Sequence, residues 1–423
     1  MTRPLACLNL ALALILCAAA PGSAQENAPF GAADIEAAQY AGGDLPAGRS
    51  AITAKVQVLL DRSGISPGVI DGFRGGMSES AIRAFERRSG LPEDGIMDSA
   101  VWNLLQPYAH NPITATYAIT DADAADLVAE IPTDYAQKAA MSAMGYTSLA
   151  EKLGERFHMD DKFIAFLNPG VTLQPGAVVN VTVPAKPLRT KVARILIDKS
   201  TRRVTAFDAD GRMIVDYPAT IGSGDTPSPS GSHTVVTVAL NPNYTYNPDK
   251  NFRQAGNDKP LIVPPGPNGP VGSVWIDLSK PTYGIHGTPT PSQLFRNQSH
   301  GCVRLTNWDA EELAHMVQPA VTTVEFLEPG VNVAEALQDP AVPTAPVAAR
   351  PSPAVARAAA AVLGGPVVDP EAGVIATDPV HEDTTEENAP SPAPGAGISD
   401  PLGAALSGAL PEGFVAPLVE EGQ

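Results

Sequence analysis

Apolar residues recur every three or four positions in the first half of the chain, a spacing that predicts helices, and at alternate positions further on, which predicts strands. The helical spacing runs through residues 54–105 and predicts a compact helical unit over 51–106. It returns between residues 149 and 167 and is followed by an alternating strand at 178–183. Residues 143–185 are therefore predicted to form helix, helix and strand.

Residues 190–328 are predicted to be rich in strands. Thr306, with Asp309 three residues later, gives a capping signal for a helix through Leu313 and Met316. An Asp-Gly pair at 210–211 is typical of a hairpin turn. The predicted strands of this region are 194–198, 203–207, 212–217 and, at its end, 322–327.

The N-terminal end has the pattern of an export signal. An apolar run at residues 8–20 follows Arg3 and precedes small residues, which predicts a signal peptide over 1–24, cut after Ala24. Lipoprotein processing at Cys17 is the alternative, although the residue before it, a leucine, stands where such signals need a small side chain. Residues 25–50 are rich in Gly and Ala and are predicted to be flexible. No other apolar run approaches the ~20 residues that span a bilayer, so no transmembrane segment is predicted.

The formal charge of −18 is concentrated near the C-terminal end. Residues 328–423 hold 2 basic and 14 acidic residues, whereas residues 189–327 hold 13 basic and 12 acidic ones. The acidity therefore says little about the substrate of the strand-rich region. Residues 329–423 are also rich in Pro and Ala and low in aromatics, which predicts a disordered tail. The sequence has no basic stripe, so no nucleic-acid partner is expected.

Cys302 is the only cysteine left once the signal peptide is removed, and it lies in Ser299-His300-Gly301-Cys302-Val303-Arg304. A free thiol has a pKa of about 8.5, and a histidine within hydrogen-bond reach raises its thiolate fraction. His286, on a separate predicted strand, is the favoured base, and His300 is the other candidate. Gly301 lets the backbone turn closely, so that the amides of Gly301 and Cys302 can face an oxyanion.

Other interpretations of these residues were weighed. A zinc site would need more ligands than one cysteine, and neither a Cys-x-x-Cys nor a His-Glu-x-x-His spacing occurs, so no metal is predicted. His233 and His315 could approach the thiol, but an alternating strand and a capped helix are typical places for surface or packing histidines. Arg304 could hold a substrate carboxylate through its planar fork, or bridge a surface carboxylate.

The pair His286-Gly287, followed by residues 299–305, resembles the active-site signature of the L,D-transpeptidases, which have a YkuD-like catalytic domain. The likeness extends upstream to Ser228-Pro229-Ser230-Gly231 and to residues 266–272 before Trp275-Ile276. It covers about residues 192–327, roughly a third of the chain. The resemblance implies a multidomain α+β protein whose residues 190–328 form a mainly-β, sandwich-like catalytic domain.

The resemblance also implies a two-step reaction without metal or organic cofactor. Cys302 would attack the peptide bond before the terminal D-Ala of a tetrapeptide stem, His286 would be base and acid, and an amine of a neighbouring stem would form a 3-3 crosslink. Carbapenems are implied as inhibitors. The resemblance further implies that His300 and Ser299 order the base and the loop, and that the backbone amide of Gly301 donates to the oxyanion. It implies substrate binding by Arg304, Tyr283 and Gly287.

Two further stretches resemble wall-binding modules. Residues 51–106 are similar to the three-helix peptidoglycan-binding domain at 69–72, 80–85 and 90–95, and a generic helical or dimerisation bundle is the alternative. Residues 143–185 resemble a LysM unit at the two Pro-Gly turns of 167–176, although no opening strand is predicted there. A structural spacer fits this segment equally well. Both modules would bind peptidoglycan glycan, which implies a periplasmic, cell-wall-associated protein.

The same fold is compatible with other functions, two of which differ only in the acyl acceptor. Water as acceptor would give an L,D-carboxypeptidase or endopeptidase, and an amine of an envelope protein would give protein anchoring. A noncatalytic wall-binding scaffold is the remaining class. The cysteine, the histidine and the glycine before the cysteine argue against it, since a scaffold needs none of them.

Overall fold

The structure is a computed structural model that describes residues 29–222, 227–249, 252–296, 299, 301–328, 330–338 and the backbone of 414–415. The predicted signal peptide, His300 and most of the predicted tail lie outside these residues. Across the described ranges, every helix is too short or too polar to cross a membrane. The described residues form a helical unit, a mixed unit and a mainly-β domain, which confirms the predicted multidomain α+β class.

The first unit is built from short, well-capped helices. The side chains of Ser50 and Asp98 accept hydrogen bonds from the amides of Thr53 and Val101 at two helix starts. Gly90, at φ 69°, ends the third helix in the left-handed region that glycine favours. The helices are α1 (Ala32–Ala37), α2 (Ala51–Arg62), α3 (Gly76–Ser89) and α4 (Ser99–Leu105).

The prediction that residues 25–50 are flexible is wrong for the part that the structure describes. Helix α1 lies against α2 and buries Ile35 completely. The buried Lys55 ammonium donates to the carbonyls of Glu36 and Ala38 at 2.7 and 2.8 Å. The buried side chains of Ile35 and Leu45, together with a buried lysine, therefore order a stretch whose composition alone indicated flexibility.

In the mixed unit, two antiparallel strands pair beside two helices. Thr114 pairs with Thr182, and Ala118 with Val178. The strand that pairs with β2 thus lies outside residues 143–185, within which no opening strand is predicted, and residues 119–148 separate it from α7. The elements are β1 (Thr114–Ala118), α5 (Asp121–Ala124), α6 (Tyr135–Ala139), α7 (Leu149–Arg156), α8 (Asp161–Leu167) and β2 (Val178–Thr182).

The third unit is the predicted strand-rich domain. Its helix is capped as predicted, with the Thr306 hydroxyl accepting from the Asp309 amide at 3.1 Å. The elements are β3 (Arg194–Asp198), β4 (Arg203–Phe207), β5 (Met213–Pro218), β6 (Gly231–Leu240), β7 (Tyr244–Tyr246), β8 (Leu261–Val263), β9 (Val274–Leu278), β10 (Gly284–His286), β11 (Val303–Arg304), α9 (Asn307–Met316) and β12 (Thr323–Phe326).

One eight-stranded sheet, in the order β11-β10-β9-β6-β12-β3-β4-β5, encloses the core of this domain, while β7 and β8 form a separate hairpin. The first half of β6 pairs with β12 and its second half with β9, so this strand carries the sheet around a corner. Beyond β5, Thr220 exchanges two backbone hydrogen bonds of 2.9 Å with Arg304 of β11. The sheet thereby closes on itself, and the predicted sandwich-like domain is confirmed.

The prediction of a disordered tail from residue 329 is wrong at its start. Helix α10 (Val333–Gln338) buries Val333 and Ala336 against Leu196 and Phe207. These two small apolar residues stand three apart, so they share one helix face, which is enough to dock a short helix. Further on, β13 (Phe414–Val415) pairs with β1.

A buried ion-pair network joins the helical unit to the sheet. The carboxylate of Asp216 is fully buried, and it accepts hydrogen bonds from Arg203, from Arg87 at 2.8 Å and from Thr205 at 2.7 Å. Arg203 also donates to the carbonyl of Ser66 at 2.9 Å. Arg87 and Ser66 belong to the helical unit, so this unit and the catalytic domain share one polar core.

Candidate active site

Strands β10 and β11 place the predicted site residues on one face of the sheet. The two strands are parallel, with Ile285 opposite Val303 and His286 opposite Arg304. Ile285 and Val303 are fully buried in the core. Because side chains alternate along a strand, His286, Arg304 and Cys302 face the opposite side.

The turn before Cys302 is fixed by two serines. Ser299 Oγ accepts from the Gly301 amide at 3.1 Å and donates to the Cys302 carbonyl at 2.5 Å, while Ser228 Oγ donates to the Gly301 carbonyl at 2.8 Å. Gly301 has φ +115°, and a Cβ there would lie 2.7 Å from the Tyr283 ring. Of the two amides predicted to face an oxyanion, that of Gly301 is thus engaged inside the turn. Tyr283 packs against this turn.

The His286 ring is buried and held from two sides. Its Nδ1 lies 2.7 Å from the carbonyl of Gly287, and the ring stacks on Trp275 with centroids 5.6 Å apart. A carbonyl only accepts, so Nδ1 carries the proton and Nε2 is the basic nitrogen of the neutral ring. Burial, and then the charge of Arg304, lower the pKa of His286 to about 3. The resting imidazole is therefore neutral.

The Cys302 thiol is partly buried and also neutral at rest. Its sulfur lies 3.6 Å from the carbonyl of Thr282, to which it donates. Burial raises the pKa of the Cys302 thiol, against the lowering effects of the Gly284 amide and of Arg304. His286 lies opposite Arg304, so Cys302, two residues before Arg304, is its diagonal neighbour on the adjacent strand. The structure brings the two onto one face, but no hydrogen bond joins them.

Arg304 supplies an uncompensated cation beside the thiol. Its Nε is buried without a hydrogen-bond partner, and no ion pair to its guanidinium occurs among the described residues. Burial lowers the pKa of Arg304, while Cys302, Tyr135 and Tyr244 raise it, which places these three groups around the guanidinium. The alternative that Arg304 bridges a surface carboxylate is not seen in this part of the chain. The cation is free to bind an anionic ligand.

Sequence reasoning missed the groups that cover this face. Tyr244, from the β7–β8 hairpin, and Cys302 both pack against a cluster that contains Val271 and Trp275. An alternating pattern shows that a residue is apolar, but it does not show that a distant hairpin packs on the same cluster as the thiol. Val271 and Trp275 had a sequence signal, since both belong to the family resemblance at 266–276, whereas Tyr244 had none.

Gly287 has a structural reason to be glycine. A Cβ on Gly287 would fall on the Asn307 side-chain oxygen, which also accepts from the Ser273 amide at 3.2 Å. Asn307 donates in turn to the Glu155 carboxylate of α7 at 3.0 Å. Asn307 therefore links the mixed unit to the turn that follows His286, a role that no sequence motif indicated.

The remaining candidates lie away from the thiol. His233 is half-buried on β6, and its ring packs edge-on against Phe326. His315 lies in the last turn of α9. Within the described part of the chain, no three His, Cys, Asp or Glu side chains are grouped so that they could hold a metal ion.

Two families match separate parts of the chain. The L,D-transpeptidase catalytic domain, YkuD, matches residues 192–326, and the family described as "Putative peptidoglycan binding domain" matches residues 49–105. The fold, the two matches and the thiol-bearing face define the class of this protein. It is a cell-wall-associated enzyme that modifies peptidoglycan.

Curated relatives narrow the class. "Putative L,D-transpeptidase YkuD" of Bacillus licheniformis is 30% identical over 169 residues, which are 40% of this chain and 87% of the relative. "Probable L,D-transpeptidase YbiS" of Escherichia coli K12 is 29% identical over 44% of this chain and 63% of the relative. The chain belongs to the L,D-transpeptidase family.

Solved structures of similar proteins were also found. The L,D-transpeptidase of Xylanimonas cellulosilytica is 14% identical with a TM-score of 0.32, and the comparison covers 69% of this chain and 100% of that one. L,D-transpeptidase 3 of Mycobacterium tuberculosis, in complex with a faropenem-derived adduct, is 19% identical with a TM-score of 0.27, covering 37% and 76%.

Proposed function

We propose that this protein is exported to the periplasm and forms 3-3 crosslinks in peptidoglycan through a thioester on Cys302. The observation that carries the proposal is the Arg304 side chain on the same sheet face as the thiol and His286, since its buried Nε has no hydrogen-bond partner among the described residues. A cation left without a partner beside a nucleophile is suited to a substrate that carries a carboxylate. Tetrapeptide stems provide such carboxylates next to the reacting bond.

In the first step, Cys302 Sγ attacks the carbonyl carbon between the third stem residue, meso-diaminopimelate, and the terminal D-Ala. The thiol proton passes to Nε2 of His286. The developing oxyanion accepts a hydrogen bond from the Cys302 amide, since the Gly301 amide is held by Ser299. The C–N bond then breaks, the D-Ala nitrogen takes the proton from His286, and a thioester remains.

In the second step, the side-chain amine of diaminopimelate on a neighbouring stem attacks the thioester carbonyl. His286 accepts the amine proton, the C–S bond breaks, and Sγ takes the proton back. The new amide is the 3-3 crosslink, and one D-Ala has been released for each bond formed. All four proton transfers use Nε2, because the Gly287 carbonyl holds the proton of the neutral ring on Nδ1.

The remaining site residues bind the substrate or hold the turn that carries the thiol. Arg304 binds the stem carboxylate, with Tyr283 and Gly287 shaping the subsite on either side. Ser299 and His300 order the turn that presents the thiol. Carbapenems acylate Cys302 in place of the stem, and an intact-mass adduct that survives Cys302→Ala would contradict this.

The appended units raise the concentration of substrate at the site. We assign peptidoglycan binding to residues 51–106 on the strength of the family match at 49–105. The β1–α7–α8–β2 unit, with its two antiparallel strands and two helices, supports glycan binding by the LysM-like segment. A second attachment to an insoluble polymer increases the effective concentration of the stems near the thiol.

Incubation of the mature protein with disaccharide-tetrapeptides, followed by mass spectrometry, tests the proposal. We expect a dimer that lacks one D-Ala, absent with Cys302→Ala, and a raised KM with Arg304→Met. Tripeptide monomer alone would mean that water is the acceptor. If product forms only when an envelope protein is added, the protein is an anchoring enzyme. If no product forms under any condition, the protein is a noncatalytic wall-binding scaffold.

A further inference from the structure

Residues 119–148, which separate β1 from α7, reach across to the wall of the candidate active site. Tyr135 and Met144 from this insertion form a buried cluster with Tyr246 and Val263 of the β7–β8 hairpin. The insertion belongs to the mixed unit, whereas the hairpin belongs to the catalytic domain. One unit therefore packs directly on a loop of the other.

Side-chain hydrogen bonds hold the start of α6 to the loop inside the hairpin. Gln254 Oε1 accepts from the Tyr135 amide at 2.8 Å, and Gln254 Nε2 donates to the Thr133 carbonyl at 3.2 Å. Asn257 Nδ2 donates to the Asp134 carboxylate, the N-cap of α6, at 2.9 Å. These contacts are specific in direction, so they fix the position of α6 along the hairpin.

Backbone contacts fix the other end of the insertion. The Met144 amide donates to the Pro265 carbonyl at 2.9 Å, and the Met144 carbonyl accepts from the Asn268 amide at 3.0 Å. Gly266 has φ +146°, and a Cβ on it would overlap the Met144 carbonyl. The close approach of two backbones requires glycine here. The insertion is thus held at two places, near Tyr135 and at Met144.

Tyr135 is the centre of this contact. Its ring stacks on Tyr246 with centroids 4.6 Å apart, meets Phe252 edge-on at 5.3 Å and lies 6.0 Å from the ring of Tyr244. Tyr244 in turn packs against the cluster of Ala239, Val271 and Trp275, on which Cys302 also packs. The contacts therefore run from the insertion through Tyr244 and this cluster to the nucleophile.

We propose that Tyr135 is a positioning residue of the candidate active site, whose ring holds the β7–β8 hairpin so that Tyr244 forms one wall of the acyl-donor subsite. The inference rests on the proposed function, because the donor is taken to be a peptide stem. Arg304 opposes the burial that raises the pKa of Tyr135, and Tyr135 opposes the burial that lowers the pKa of Arg304, as expected for two neighbouring side chains. Tyr244 and Arg304 therefore border the same subsite, and the mixed unit helps to select the peptide that binds there.

Steady-state kinetics with a tetrapeptide donor test the proposal. Tyr135→Ala is expected to raise KM about tenfold while kcat stays within about twofold, since the thiol and the imidazole are untouched. Tyr135→Phe keeps the ring and is expected to behave as wild type. Gln254→Ala, which removes the side-chain hydrogen bonds of Gln254 to the start of α6 and to Asn257 but leaves the Tyr135 ring in place, is expected to shift KM in the same direction by a smaller factor.

Hydrogen exchange of residues 244–263 provides a readout that does not depend on activity. Tyr135→Ala is expected to speed exchange in the hairpin and leave β3 and β4 unchanged. Unchanged KM and exchange in Tyr135→Ala, or a Tyr135→Phe variant as impaired as Tyr135→Ala, would overturn the role of the ring. A wild-type protein that releases no D-Ala would overturn the proposed function instead, while the exchange result would still decide the packing role.

Discussion

The ion pair between Asp216 and Arg203 gives the sharpest stability prediction. Both side chains are essentially inaccessible, at 0% and 1% exposure, and Arg87 adds a second guanidinium at 12%. Asp216→Ala leaves two cations without their counter-charge at the junction between the helical unit and the sheet. Breaking a buried pair by removing one partner costs about 3–5 kcal/mol, because the remaining charge stays desolvated.

The cost should appear as a fall in the thermal midpoint of roughly 10 °C, measured by calorimetry at pH 7. Asp210→Ala is the matched control, since Asp210 is 80% exposed and lies 3.7 Å from an Arg212 that is 73% exposed. A solvated pair of this kind stabilises a protein by about 0–1 kcal/mol, so the thermal midpoint of Asp210→Ala should stay close to that of the wild type. A fall of less than about 2 °C in Asp216→Ala would refute the claim that these charges depend on one another.

The same pair predicts an acid dependence with a definite sign. Burial opposes ionisation of Asp216, but Arg203 and Arg87 hold the pKa of its carboxyl below the ordinary value. The folded pKa is therefore lower than the unfolded value of about 3.9, so the stabilisation is present above about pH 5 and is lost as the pH falls through the folded pKa. The difference between wild type and Asp216→Ala should narrow in acid, and a constant difference would contradict the assignment.

Three further predictions concern the site and its neighbours. Because burial raises the pKa of Cys302, iodoacetamide should alkylate the resting thiol at a rate that climbs about tenfold for each pH unit between 7 and 8.5, and a plateau below pH 7 would indicate a preformed thiolate. Burial raises the pKa of Glu155 to about 8, so the folded state keeps a proton that the unfolded chain loses, and stability should fall between about pH 4.5 and 8. Glu155→Gln should reduce the fall of the thermal midpoint with pH over this range, and an unchanged pH dependence would contradict the raised pKa of Glu155. Gly287→Ala should cost about 1–3 kcal/mol by overlap with Asn307, and Asn307→Ala in the same chain should restore part of that stability, whereas no recovery would place the strain elsewhere.

Local patterns predicted the elements of the catalytic domain well. Strands β3 and β4 have the predicted bounds, and the cap of α9 is made by the predicted residues. These features depend on neighbours within a few positions, where alternation and capping leave a direct mark on the sequence. That His286 could meet the thiol across the sheet was also expected, but the shared face depends on the register of β10 with β11, which alternation within one strand does not give.

Long-range contacts could not be predicted in the same way. β1 is separated from its helices by an insertion, so the expected pattern of the module was interrupted. Tyr135 has no motif of its own, and its importance comes only from the hairpin on which it packs. The engaged amide of Gly301 is a different case, because a serine two residues earlier is a known local acceptor for a backbone amide. That serine therefore predicts that the Gly301 amide is engaged inside the turn.

The most direct test of the account is the intact mass of the protein after brief exposure to a disaccharide-tetrapeptide. The account predicts a covalent adduct equal to the donor minus D-Ala, removed by hydroxylamine as a thioester is, located on Cys302 by peptide mapping and absent from Cys302→Ala. Turnover of the donor with no such adduct, or an adduct that persists in Cys302→Ala, would contradict the thioester mechanism.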